Sequence, residues 1–84
     1  MDEEKFKALL DEQHQFPSAY TFKFIVEKDN LAAVKALFEN EAITVKPSKG
    51  GKYVSITAKP TMQTSDDVLA VYREAYKIKG VISL

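Results

Sequence analysis

The chain has 84 residues, 45% of them apolar, with twelve basic and twelve acidic side chains and no cysteine. That length fits one small domain with a modest core, and the composition is that of a globular chain rather than a disordered one. The cancelled charge argues against a general coat for nucleic acid or anionic lipid, and the missing cysteine removes disulfides, thiolate nucleophiles and cysteine metal clusters.

DEEKFKALLDEQ, residues 2–13, predicts a helix. Phe6, Leu9 and Leu10 form one narrow apolar stripe. Asp2 suits the N-cap, Glu3 and Glu4 suit the positive end of the helix dipole, and Phe16-Pro17 stops the helix. The acidic start, MDEEKFKALL, is unlike a signal peptide. No run approaches the ~20 apolar residues of a membrane span. A soluble cytoplasmic protein is the expectation.

SAYTFKFIVEK, residues 18–28, alternates with a period of two and predicts a strand. Tyr20, Phe22, Phe24 and Val26 share the buried face; Thr21, Lys23 and Glu27 point away, with Ile25 as the exception. Residues 29–40 predict a helix capped by Asp29 or Asn30, with Leu31, Val34, Leu37 and Phe38 as its stripe. Strands follow around residues 42–48 and 52–60. TSDDVLAVYREAYKI predicts a second long helix, capped by Thr64 or Ser65 and carrying Val68, Val71, Tyr72, Ala75 and Tyr76 on one side. VISL closes as a short strand.

The hairpin constrains itself. A two-residue Gly50-Gly51 turn pairs Pro47 with Val54, Lys46 with Ser55, Val45 with Ile56, Thr44 with Thr57 and Ile43 with Ala58. Apolar then meets apolar and polar meets polar, and a one-residue slip scrambles both faces. Pro47 has no N–H, so its strand belongs at a sheet edge. After the first helix the order is β-α-β-β-α-β. That predicts an α+β, ferredoxin-like sandwich: a four-stranded antiparallel sheet of order 4-1-3-2 with two helices on one face. The whole chain is read as one domain, with residues 1–15 an N-terminal helical extension and residues 16–84 the core.

Several of these segments carry a resemblance. Phe16-Pro17, YTFKFI at residues 20–25, VKPS at 45–48, YVSIT at 53–57, Val71-Tyr72 and IKGV at 78–81 together resemble the YbeD-like family of domains of unknown function. The resemblance covers residues 16–84. It implies a ferredoxin-like fold similar to ACT-type regulatory domains and no known catalytic residues. Many ACT domains place a glycine between the first strand and the first helix, where a small effector is held. Here that junction is Glu27-Lys28-Asp29-Asn30, which argues against an amino-acid effector bound in that way.

Chemistry-bearing motifs are few. His14 is the single histidine and reads as an ordinary solvated residue at the end of the first helix. Gly50-Gly51 joins two strands and opens no helix, so it is a turn rather than a phosphate loop. Asp66 and Asp67 diverge by ~100° on a helix and suit its first turn better than a metal. Tyr72 and Tyr76 fit the helix stripe better than a cofactor box. No catalytic, metal-ligating or cofactor-binding residue is assigned, and no enzymatic activity is expected.

Charge singles out one surface. Residues 1–41 carry nine acids and five bases, whereas residues 42–63 carry four lysines and no acid. In the expected fold, the sheet face away from the helices holds Thr21, Lys23, Ile25, Thr44, Lys46, Ser48, Tyr53, Ser55, Thr57 and Lys59. Of these, Lys23, Lys46, Ser48, Tyr53, Ser55, Thr57 and Lys59 are the candidate binding surface. The functional expectation is a small regulatory or adaptor module that binds a protein partner, a second copy or a small ligand. The alternative is a nucleic-acid or anionic-ligand binder on the open face. RNA is disfavoured, because such sheet faces stack bases on two or three aromatics and only Tyr53 qualifies.

Overall fold

The structure is a computed structural model, described for residues 2–38 and 43–83. It is an α+β fold of three helical regions and two antiparallel sheets.

Helix α1 spans Glu3–Gln13, and the Asp2 carboxylate accepts from the backbone N–H groups of Glu4 (3.1 Å) and Lys5 (3.2 Å) as its N-cap. The Phe16-Pro17 peptide is cis. The expected long strand then arrives in two pieces, β1 (Ser18–Ala19) and β2 (Phe22–Glu27). Its partner is split the same way, into β4 (Tyr53–Ala58) and β5 (Thr61–Met62). The β1–β5 ribbon keeps the register of the β2–β4 ladder, so Tyr20 falls opposite Pro60. Tyr20 donates its N–H to the Pro60 carbonyl at 3.0 Å. Pro60 has no N–H to return, and the ladder breaks there.

The helix expected over residues 29–40 is also different. A 3₁₀ turn at Lys28–Asn30 leads into α2 (Leu31–Lys35), followed by a second 3₁₀ turn at Ala36–Phe38. Asn30 does not cap it; its side-chain amide donates to the Lys79 carbonyl at 3.1 Å, tying this segment to the loop before the last strand. The expected end at residues 39 and 40, and the start of the next strand at residue 42, lie outside the described residues.

Strand β3 (Ile43–Pro47) pairs with β4 in the expected register, from Ile43 opposite Ala58 to Pro47 opposite Val54. The turn itself is wider than two residues. Gly51 donates its N–H to the Ser48 carbonyl at 3.0 Å, and Ser48 donates to the Tyr53 carbonyl at 2.8 Å, which leaves a four-residue loop. Gly50 and Gly51 take φ of 98° and 75°, where a side chain costs backbone energy. Open space surrounds a Cβ at Gly51. Gly51→Ala should therefore lower stability by about 1–2 kcal/mol through the backbone alone, measured as a shift in the urea midpoint at constant slope.

Helix α3 spans Ser65–Tyr76 and is capped by the Thr64 hydroxyl, which accepts from Asp67 N–H at 3.2 Å. Strand β6 (Ile82–Ser83) completes the main sheet, whose order is β3-β4-β2-β6. Pro47 thus lies on an edge strand.

The core forms on one side of this sheet. Phe22, Phe24 and Val26 from β2, and Val54, Ile56 and Ala58 from β4, are buried with Val34, Phe38, Val68, Leu69, Tyr72 and Ala75. The Phe22 ring lies 5.3 Å from Tyr72 and 5.5 Å from Phe38, so α3 and the α2 segment cover the same face. Helix α1 joins this layer. Leu10 is buried, the Phe6 ring meets Tyr72 at 5.4 Å, and two ion pairs link α1 to α3. Lys7 donates to Asp66 at 2.9 Å, and Arg73 donates through Nε (3.0 Å) and Nη2 to one Glu3 oxygen. These hydrogen bonds hold the Glu3 carboxyl below its ordinary value and push the Lys7 and Arg73 groups above theirs. All four side chains are well exposed, so the pairs orient α1 more than they stabilise it.

Candidate functional site

Because α1 rests on α3, nothing among the described residues covers the outer face of the sheet. Alternation places Lys23, Ile25 and Glu27 of β2 outward, with Thr44 and Lys46 of β3 and Tyr53, Ser55 and Thr57 of β4. The register arranges them in rows across the strands. Thr44, Thr57 and Lys23 form one row; Lys46, Ser55, Ile25 and Ile82 form the next; Tyr53 and Glu27 form the third.

Seven of these and flanking side chains line a single groove of about 440 Å³: Thr21, Lys23, Thr44, Lys46, Ser55, Thr57 and Lys59. Three are ammonium groups, four are hydroxyls, and no carboxylate is among them. Among the described residues, none of the three lysines makes an ion pair. Cations gathered in one depression add their potentials there and attract an anion from solution. The hydroxyls supply neutral hydrogen bonds with adjustable direction.

Five of the seven candidate residues named from the sequence therefore share the groove: Lys23, Lys46, Ser55, Thr57 and Lys59. The other two sit outside its lining. The Ser48 hydroxyl accepts from Tyr53 N–H at 3.2 Å and is spent on closing the hairpin loop. Tyr53 stands one row further on, with Lys52 Nζ 5.5 Å from its ring centroid and Glu27 opposite it. Glu27 and Lys52 offset each other at that end of the face, so it lacks the unopposed positive charge of the groove. Ile82, 54% exposed beside Ile25, makes the β6 side apolar. The face thus has a cationic end and an apolar corner.

His14 departs from the solvated residue expected of it. It is half-buried, with its ring 5.8 Å from Phe16 and 5.4 Å from Tyr20. Asp66 and Asp67 occupy the first turn of α3, and Asp66 is engaged by Lys7.

A second concavity lies on the other side of the molecule, at the junction of α1, α3 and β6. Tyr72 is buried at its floor, and its hydroxyl lies 3.1 Å from that of Tyr20. Burial, and the hydrogen bond with Tyr20, push the Tyr72 phenol well above its ordinary value, so it stays neutral. Sequence reasoning assigned Tyr72 to the core but found no groove above it. Its walls come from four separated segments, which no local pattern brings together.

Comparison with known proteins adds a family. A family model described as "Protein of unknown function (DUF493)" matches residues 11–84. A protein of Shewanella oneidensis described as "UPF0250 protein" is 33% identical over 78 residues, covering 84% of this chain and 89% of that protein. No solved structure matches.

Proposed function

The chain belongs to the DUF493 family of proteins of unknown function, and from its outer sheet face we propose a small non-enzymatic adaptor or regulatory module that holds an acidic protein segment in the lysine groove. One observation carries this reading: Lys23, Lys46 and Lys59 line the groove with four hydroxyls and no acid. The architecture is read as a ferredoxin-like sandwich of the kind used by ACT-type regulatory domains, with α1 as an extension. A non-enzymatic role agrees with a chain that has one histidine and no cysteine. No helix of the described residues is long and apolar enough to cross a membrane, and a cytoplasmic setting goes with the same reading.

An acidic protein segment fits this face better than nucleic acid. Single-stranded RNA needs stacking platforms beside its phosphate contacts. The one outward aromatic among the described residues of the sheet, Tyr53, lies beyond the groove and beside Glu27. An extended peptide lying along the strands meets lysines at one end and Ile25 and Ile82 at the other side.

A glutamate-rich decapeptide should bind the wild-type protein at low salt. Lys46→Ala/Lys59→Ala should weaken it about five- to tenfold, taking each partly exposed ion pair at ~0.5–0.7 kcal/mol. Titration at two salt concentrations checks this. Equal affinity of wild type and double variant would overturn the reading, and tighter binding of a matched oligouridylate would favour the nucleic-acid alternative.

A further inference from the structure

The groove at the junction of α1, α3 and β6 has the chemistry of a small-ligand site. Its volume is about 510 Å³, within the range of pockets that bury small molecules. Four aromatic rings wall it: Phe6 from α1, Tyr20 from the segment before β2, and Tyr72 and Tyr76 from α3. Two of the three large apolar side chains most exposed among the described residues, Leu9 (47%) and Tyr76 (51%), stand on its rim. A surface that leaves such side chains wet gains by covering them.

The polar groups of the groove are few and convergent. Tyr20 and Tyr72 share one hydrogen bond, which leaves one phenol proton of the pair to donate elsewhere. Ser83 adds a hydroxyl from the strand edge. Lys5 is the single charged residue of the lining, and among the described residues it makes no ion pair. One uncompensated ammonium over aromatic walls complements one anionic head on an aromatic body. No carboxylate lines the groove to receive an α-ammonium, so a free amino acid leaves its own cation unpaired there.

We propose that this groove binds a small aromatic carboxylate, its ring among Phe6, Tyr72 and Tyr76 and its carboxylate at Lys5. The ring gains aromatic contacts in offset or tilted geometry, and the carboxylate accepts from the ammonium and from the free phenol proton. This site shares no residue with the lysine groove; the two meet in sequence only at Tyr20 and Thr21, neighbours in the segment before β2.

The test is titration of the full chain with 3-phenylpropionate, followed by NMR of the tyrosine ring resonances. Saturable shifts at Tyr20, Tyr72 and Tyr76 are expected, with a dissociation constant of about 0.1–10 mM for so small and open a complex. 3-Phenylpropanamide and phenylalanine should each bind about three- to fivefold more weakly, the size of one rim ion pair. Lys5→Ala should erase the preference of acid over amide, and Leu9→Glu should abolish binding by placing a like charge beside the carboxylate. Both positions are exposed on α1, so the fold is retained. Lys46→Ala, on the opposite sheet face, should bind as wild type does. Absence of saturable shifts, or equal binding of acid and amide to the wild type, would overturn the proposal.

Discussion

Phe22→Ala is expected to lower the unfolding free energy by about 3–5 kcal/mol, a large part of the roughly 4–12 kcal/mol available to a chain of this length. Phe22 is fully buried in β2. Its ring meets Tyr20 at 4.8 Å, Tyr72 at 5.3 Å, Phe38 at 5.5 Å and Phe24 at 6.2 Å. These partners come from the sheet side, from α3 and from the end of the α2 segment, so one ring joins two of the three helical regions to the strands. Truncation removes the transfer energy of the ring and leaves a void that elements on three sides cannot all fill. Urea unfolding followed by far-ultraviolet circular dichroism gives the difference directly. At ~4–8 °C per kcal/mol, the melting temperature should fall by more than about 12 °C. A loss below 1.5 kcal/mol would mean that the sheet and helices are not packed as described.

The second large effect concerns α1. Deleting residues 1–13 should cost about 3–4 kcal/mol, with about 2–3 from Leu10 and about 1 from half-buried Phe6. Leu10 is only 3% exposed, and the Phe6 ring packs at a tilt against Tyr72. The shortened chain should also bind an environment-sensitive hydrophobic dye, because the Tyr72 side of α3 becomes open to water. A truncated protein with wild-type stability and no dye binding would show that α1 does not dock on α3. The family match begins at residue 11, so this deletion removes the part of the helix outside the matched span and little beyond it.

The hairpin was the most legible part of the chain. Val45, Ile56 and their neighbours alternate strictly, Gly50 and Gly51 mark the turn, and Pro47 marks an edge; all three constraints agree on one register. The exact turn was not legible, because two adjacent glycines permit either a two-residue or a four-residue loop. The split of the long strands turned on Pro60. Read as the end of a strand, it is instead the interruption of one that resumes at Thr61. The 3₁₀ character of residues 28–30 and 36–38 leaves no trace in apolar spacing, since i, i+3 contacts suit both helix types.

The candidate face was read from period alone. Outward residues of three strands were known once the register was known, so Lys23, Lys46 and Lys59 could be placed together. What stayed hidden was tertiary. The stripe of Phe6, Leu9 and Leu10 fits any apolar surface, and nothing local says whether α1 covers the lysines or the tyrosines. Its docking on α3 is selected by complementary groups far away in the chain, Glu3 with Arg73 and Lys7 with Asp66, together with the ring of Tyr72.

The outer face is not symmetric end to end, and this gives anything that lies on it a heading. Thr21 and Lys59 stand where β2 begins and β4 ends, while Glu27 and Tyr53 stand at the opposite pole. A ribbon-like guest with clustered acids at one terminus meets the lysine groove in one orientation, and in the other it meets Tyr53 with Glu27 and Lys52 beside it, where the charges offset. Such a platform sorts its guests by sequence direction as well as by composition, so a peptide and its reversed-sequence twin, identical in charge, would be told apart.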